Sequence, residues 1–163
     1  MLKLLAILCF IAAAFLLWQR YQPLSFSSGP QAESLAGNDP PISISVPSLN
    51  LHLLVFPGEI KNNHWPVTSK GVIYLSSSPP SNTIIYGHNW PNILGRLKNV
   101  RVGQEIKLTY AGNQTRKFIV LEVKVVGPNE TEILKVSATD QLTVYTCTGF
   151  LDSKRLVVVA KPG

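Results

Sequence analysis

The strongest constraint on the fold of this chain is a series of short apolar runs, rich in β-branched residues, that alternate with turn residues. Groups such as Pro57-Gly58 and Gly127-Pro128-Asn129 separate the runs. Runs of this kind predict strands, and many of them in one chain are typical of an all-β sandwich or barrel. We predict eight strands, at residues 42–46, 51–56, 71–75, 83–87, 104–110, 115–126, 141–147 and 155–160.

Helical patterning is almost absent from this part of the chain. Only residues 92–98 carry apolar side chains at helical spacing, enough for one or two turns. Without a long amphipathic helix to cover a sheet, a closed barrel is favoured over a layered α/β fold. We therefore predict an all-β domain at 42–163, a closed eight-stranded β-barrel with one or two short helical turns.

The amino-terminal segment has the composition of a membrane helix. A stretch without charged side chains lies between Lys3 and Arg20. A spanning helix needs about 17–25 apolar residues, so residues 1–20 are just long enough. The alternative is a cleaved secretory signal, but the small residues 12–14 lie inside the apolar run. We predict an uncleaved anchor there and, from its Ser, Gly and Pro content, a flexible tether at 21–41.

Charge gives little support to nucleic-acid binding. The net charge is +6, but Lys3 and Arg20 flank the anchor, which leaves 13 cations against 9 anions in the exported part. No window holds a run of like charges or basic residues interleaved with aromatic ones. We therefore expect no nucleic-acid partner, and the small excess of cations suits a surface beside an anionic envelope.

The two cysteines do not form a disulfide framework. Cys9 falls in the predicted anchor, so Cys147 is alone in the exported domain. A free cysteine is commonly a small buried apolar residue and nothing more. Strand alternation places Tyr145 and Cys147 on one face of their strand and Val144 and Thr146 on the other.

An arginine is predicted beside this thiol. If strands 141–147 and 155–160 pair antiparallel around the loop 148–154, Cys147 and Arg155 lie opposite each other, roughly 5 Å apart. A guanidinium in that place can favour the thiolate, and it can donate to an oxyanion formed when the thiolate attacks a carbonyl. The pair therefore fits acyl-transfer chemistry.

Such chemistry also needs a proton donor for a leaving amine, which is usually an imidazole. The chain has three histidines. His52 lies within an apolar strand and His64 in a polar loop, where structural or solvated side chains are the rule. His88 ends the strand 83–87 and opens a loop, where a rigid scaffold can hold a catalytic group. His88 is therefore the candidate acid and base.

Three short motifs occur in order along the chain. Residues 143–147, Thr-Val-Tyr-Thr-Cys, fit the pattern Thr-Leu-any-Thr-Cys except for Val in place of Leu; Gly87-His88 follows a strand; and Arg155 opens the strand after the cysteine. Together they resemble the sortases, membrane-anchored cysteine transpeptidases of the bacterial cell surface. The resemblance covers essentially the whole chain, including the anchor, the tether and the eight strands.

The resemblance implies a sortase barrel that cleaves a carboxy-terminal sorting signal similar to Leu-Pro-any-Thr-Gly. Cys147 would form a thioacyl-enzyme, His88 would protonate the departing amine, and Arg155 would stabilise the oxyanion or hold the substrate backbone. Thr146 would help to line the same pocket. The implied partners are surface proteins with sorting signals and an acceptor amine on peptidoglycan or on a protein subunit. The implied location is the bacterial cell membrane, crossed once, with the catalytic domain outside the cytoplasm.

No metal or cofactor is expected, and the sortase subclass is left open. Some sortases bind calcium through loop carboxylates, and Glu130 and Glu132 lie in a comparable loop. Calcium takes about six to eight oxygen ligands, so two solvated acids are the simpler interpretation. The loop 148–154 is short and residues 21–41 offer no long lid, which removes two features that distinguish subclasses.

Two other functions fit the sequence. A hydrolytic cysteine peptidase would use the same residues with water in place of the amine. A non-catalytic, membrane-tethered barrel that binds peptides would account for the anchor and the strands, but it would leave the motifs at His88 and Cys147 without a purpose.

Overall fold

The structure is a computed structural model that describes residues 11–15, 40–62, 64–79 and 81–163. Residues 11–15 are helical. Within the described ranges, no helix is long and apolar enough to cross a membrane. The anchor at 1–20 and the tether at 21–41 lie almost entirely outside the described residues, and both stay predictions.

All eight predicted strands are present, with bounds that differ from the predicted ones by two residues or fewer. Each contains β-branched or aromatic residues and lies between turn formers, which is why the pattern could be recognised. The strands are β1 (Pro41–Val46), β2 (Leu51–Gly58), β3 (Val72–Leu75), β4 (Asn82–Gly87), β5 (Glu105–Tyr110), β6 (Thr115–Val126), β7 (Gln141–Thr148) and β8 (Lys154–Pro162).

The strands close into a barrel in the order β1-β2-β3-β4-β7-β8-β6-β5, and β5 pairs back onto β1. The pairs β2–β3 and β4–β7 are parallel, and the other pairs are antiparallel. A parallel pair needs a long connection, and residues 59–71 supply one between β2 and β3. The closed eight-stranded barrel predicted from the sequence is confirmed.

Beyond residue 40, the described part of the chain contains four short 3-10 helices. The prediction of one or two helical turns was therefore too low. The turn predicted at 92–98 corresponds to Gly95–Asn99, which buries Leu97. The others have only three or four residues, too few for a hydrophobic period to show in the sequence, and they are Pro47–Leu49, Thr131–Leu134 and Phe150–Asp152.

Buried apolar side chains form two clusters on opposite faces of the sheet. The inner cluster fills the barrel and includes Val144 and Val158. The outer cluster lies on the outside of β4, β7 and β8 and includes Tyr86, Tyr145 and Val157. Because neighbouring residues on a strand point to opposite faces, β7 is buried on both of its sides.

Two connections cover the outer cluster. Trp65, from the β2–β3 connection, makes T-shaped ring contacts with Tyr86 and Tyr145, at centroid distances of 5.5 and 6.3 Å. Ile133, from the β6–β7 connection, belongs to the same cluster. Both connections therefore pack against the outer face of β4 and β7; we call that face the floor and the two connections its walls.

Asn82 joins the β6–β7 connection to β4 and β7 by hydrogen bonds. Its side-chain amide Nδ2 donates to the carbonyl oxygens of Ile133 and Lys135, both at 3.0 Å, and its Oδ1 accepts from the Thr143 hydroxyl at 2.7 Å. Asn82 is 1% exposed, so water cannot replace these partners. The β6–β7 connection is thus held to the barrel by a buried amide as well as by apolar packing.

We expect Asn82→Ala to lower the free energy of unfolding by about 2–4 kcal/mol, because it removes the buried hydrogen bonds to the Ile133 carbonyl and from the Thr143 hydroxyl. Urea denaturation measures the change. Asn99→Ala is the matched control, since Asn99 is exposed and such substitutions stay within about 0.5 kcal/mol. Equal stability of the two variants would contradict a fastening role for Asn82.

Candidate active site

The three predicted catalytic residues lie at or directly beyond the ends of neighbouring strands, at one end of the floor. In the parallel pair β4–β7, Gly87 pairs with Thr146, so the next residues along are His88 and Cys147. In the antiparallel pair β7–β8, Cys147 pairs directly with Arg155. The predicted opposition of the cysteine and the arginine is confirmed, and His88 follows the strand on the other side of the cysteine.

Cys147 belongs to the outer face of the barrel. Tyr86 and Tyr145 stack on that face with centroids 5.3 Å apart and ring planes 13° from parallel. Cys147 lies two residues beyond Tyr145, on the same face, and it is part of the outer cluster. Cys147 is 6% exposed, so it lies at the edge of an aromatic cluster and is nearly shielded from water.

The surroundings of Cys147 hold the thiol in its neutral form. Burial raises its pKa to about 11, the Arg155 guanidinium acts in the opposite direction, and the Asp152 carboxylate adds to the increase. At neutral pH the thiolate is therefore a minor species. The neighbouring Arg155 cation favours the thiolate of Cys147, whereas desolvation disfavours it.

Arg155 is directed at the rim of the site. It is 6% exposed, and its Nη1 donates to the carbonyl oxygens of Asp152, at 2.9 Å, and of Lys154, at 3.0 Å. These bonds fix one end of the guanidinium to the β7–β8 loop. They hold the guanidinium on the strand pair that carries Cys147.

The β7–β8 loop has an unusual backbone. Leu151 and Asp152 adopt left-handed conformations, with φ of 51° and 58°, and Gly149 has φ of 81°. Consecutive non-glycine residues in this region are costly, and such strain persists where other contacts impose it. Here the Arg155 bond to the Asp152 carbonyl is one such contact.

Asp152 is a site residue that the sequence analysis missed. Its charge raises the pKa of both Cys147 and His88. One signal was available, because Asp152 is the only acid in the loop 148–154. Residue spacing alone did not indicate that Asp152 acts on the site.

His88 is partly exposed and stacks on Trp90, with ring centroids 4.3 Å apart and planes 6° from parallel. Burial lowers its pKa, and the Asp152 carboxylate partly offsets that effect. The imidazole is therefore mostly neutral at neutral pH. Because the Cys147 thiol is also mostly neutral, the resting pair of Cys147 and His88 is mostly uncharged.

Thr146 lies on the opposite side of β7 from Cys147, as strand alternation predicts. It is fully buried, and its hydroxyl donates to the Gly87 carbonyl oxygen at 2.8 Å. That contact differs from the pocket-lining role implied by the resemblance. It fixes the end of β4 against β7 directly before His88.

The other candidate residues take no part in this arrangement. His52 is exposed on β2 and pairs with Ser45, and His64 is exposed beside Lys61 in the β2–β3 connection. Glu130 accepts a hydrogen bond from the Gly127 backbone N–H at 2.8 Å, and Glu132 pairs with Lys135. Among the described residues, no group of three or more His, Cys, Asp or Glu could hold a metal ion.

Comparison with known proteins identifies a sortase domain. A family model described as Sortase domain matches residues 44–163. Sortase A from Corynebacterium diphtheriae is 27% identical, with a TM-score of 0.63 and a match over 87% of this chain and 72% of that chain. A lid mutant of that sortase is 28% identical, with a TM-score of 0.63, over 85% of this chain and 82% of that chain.

A more distant structure is that of Clostridium perfringens sortase C with the C-terminal cell wall sorting motif. It is 21% identical, with a TM-score of 0.61, over 79% of this chain and 74% of that chain. At that identity the likeness shows the fold alone. A comparison with curated protein sequences gave no significant match.

Proposed function

Because the chain belongs to the sortase family, we propose that it is a cysteine transpeptidase that cleaves a carboxy-terminal sorting signal and transfers the acyl group to an amine. The observation that carries the proposal is the position of Cys147, paired with Arg155 on one side and next to the end of β4, where His88 follows, on the other. A nucleophile, an acid–base group and an oxyanion donor are what acyl transfer needs.

In the first half of the reaction, the Cys147 thiolate attacks the carbonyl carbon of the scissile peptide bond. A C–S bond forms, the carbonyl oxygen becomes an oxyanion, and Arg155 donates to it. The C–N bond then breaks, and the His88 imidazolium gives its proton to the leaving amine. The product is a thioacyl-enzyme and a neutral imidazole.

In the second half, an incoming amine attacks the thioester carbonyl and His88 accepts the amine proton. The C–S bond breaks and the Cys147 thiolate is released, so the starting charge state is restored. This sequence requires a thiolate and an imidazolium at the outset. Since the pKa of Cys147 is raised to about 11 and that of His88 is lowered, the required ion pair is a minor form of the resting enzyme.

We assign the substrate class as surface proteins with a signal similar to Leu-Pro-any-Thr-Gly. The match to the sortase family and the sorting motif present with the C. perfringens sortase C support this assignment. The acceptor would be an amine on peptidoglycan or on a protein subunit. The predicted anchor at 1–20 would hold the barrel on the outer side of the bacterial membrane as a single-pass protein.

A peptide containing Leu-Pro-Glu-Thr-Gly tests the proposal. Incubation with the protein, with and without excess triglycine, should give cleavage between Thr and Gly and, when the amine is present, a ligated product by mass spectrometry. Free acid alone at all concentrations of several amines would favour the hydrolytic peptidase. Binding without any cleavage would favour the non-catalytic barrel.

A further inference from the structure

The candidate acid–base group shares its loop with an aromatic ring that the mechanism above does not use. The indole of Trp90 lies face to face with the imidazole of His88, with centroids 4.3 Å apart and planes 6° from parallel. Trp90 is 37% exposed, so one face of the indole covers the imidazole while part of the ring remains in water. The imidazole is therefore covered on one side by a π face.

The loop backbone fixes the indole in this place. The Trp90 carbonyl oxygen accepts from the backbone N–H groups of Ile93, at 2.9 Å, and Gly95, at 2.8 Å, and the His88 carbonyl accepts from Leu94 at 3.1 Å. A Cβ added at Gly95 would lie 2.7 Å from the Trp90 oxygen, closer than real Cβ atoms approach. Glycine at that position is thus required for the turn that presents the indole.

We propose that Trp90 is a positioning residue for His88, whose indole face fixes the plane of the imidazole and stabilises its protonated form. This inference rests on the proposed function, because it concerns the residue that would carry the proton. It adds a residue with no part in the bonds that form and break. Trp90 acts through His88 and need not touch the reacting atoms.

The groups around His88 have opposing effects on its protonated form, and the contact with Trp90 adds to the favourable ones. Asp152 in the β7–β8 loop acts on the pKa of His88, and the other ionisable groups on the strands beside it are Cys147 on β7 and Arg155 on β8. Burial disfavours the imidazolium, and Asp152 favours it. An aromatic face attracts a cation through its quadrupole, so the indole is a second contribution in the favourable direction.

The contact has a specific kinetic signature when the active form is thiolate plus imidazolium. With the thiol pKa above that of the imidazole, the plateau of kcat/KM scales with the fraction of the ion pair, and the acid limb reports His88. A lower His88 pKa therefore moves the acid limb to lower pH and reduces the plateau by the same factor. Activity well below the acid limb stays unchanged.

Two substitutions separate the π face from simple burial. Trp90→Leu keeps an apolar side chain over the imidazole but removes the ring, whereas Trp90→Phe keeps a smaller ring. We expect the pKa of His88 to fall by about half a unit to one unit in Trp90→Leu and by less in Trp90→Phe. The plateau of kcat/KM should fall about three- to tenfold in Trp90→Leu, with partial recovery in Trp90→Phe.

The pKa is measured by NMR titration of the imidazole in full-length protein that carries Cys147→Ala, so that no thiol titrates beside it. A His88→Gln sample assigns the signal among the three histidines. Because this readout does not depend on turnover, it tests the stacking even if the proposed transpeptidation fails. Kinetics with the peptide in the protein with Cys147 intact gives the second readout.

An unchanged or raised pKa of His88 in folded Trp90→Leu would overturn the proposal. So would a loss of kcat/KM that is uniform across the pH range, because that result indicates structural damage alone. If Trp90→Leu does not fold, Gly95→Ala keeps the indole but displaces the Trp90 backbone, and it should lower the pKa of His88 in the same direction. An unchanged pKa in that variant would also contradict the proposal.

Discussion

Cys147→Ala is expected to abolish peptide cleavage, with kcat/KM lower by roughly 10⁵-fold or more, because it removes the thiol proposed to form the acyl-enzyme. The barrel should remain folded. The change removes one sulfur atom from the edge of the outer cluster, so we expect a loss of only about 1 kcal/mol of unfolding free energy. Liquid chromatography of the peptide products and urea denaturation measure the two effects.

A substitution inside the barrel provides the matched control. Val158→Ala truncates a fully buried side chain on β8 that belongs to the inner cluster, away from the thiol. It should cost more stability than Cys147→Ala, about 1–3 kcal/mol, while the folded protein keeps its activity. Retained turnover in Cys147→Ala would refute the nucleophilic role of this cysteine.

Arg155→Ala is expected to lower kcat/KM by about 10²–10³-fold, the usual effect of removing one oxyanion donor. The same substitution should raise the pKa of Cys147 above about 11, because the guanidinium is the group that lowers it. The rate of thiol alkylation near neutral pH should therefore fall as well. Arg155→Lys should lie between, since it keeps the charge but loses the planar set of donors.

Iodoacetamide labelling from pH 6 to pH 11 measures the thiol, and peptide cleavage measures the reaction. Circular dichroism must show folded protein, because Arg155 also bonds the carbonyls of Asp152 and Lys154. Arg116→Ala is the control, as Arg116 forms a solvent-exposed ion pair with Asp140 on another part of the barrel. Equal alkylation rates and equal kcat/KM in Arg155→Ala and the control would rule out both roles.

The strands were predictable because the residue pattern that indicates each of them lies within one short segment of the chain. β6, for example, begins and ends at the predicted residues 115 and 126. The opposition of Cys147 and Arg155 was predictable for a similar reason: two adjacent strands joined by one short loop leave few registers. His88 was selected by its place at a strand end and by the family resemblance.

The surroundings of those residues were not predictable from local pattern. The parallel pairing of β4 with β7 joins residues far apart in the chain, and it places the end of β4 beside Cys147. Nothing in the spacing of Tyr86 and Tyr145 indicated that they stack outside the barrel under Trp65. The three short 3-10 helices that were missed have no period long enough to detect.

Residue type and short-range order therefore set which side chains are available here: one thiol in the barrel, one histidine at a strand end and one arginine opposite the thiol. Their charge states come from packing that spans the barrel. Burial raises the pKa of Cys147 and lowers that of His88, while Asp152 reaches both from a strained loop. Desolvation and Coulomb interactions depend on what surrounds a group in space, and only closure of the barrel brings these surroundings together.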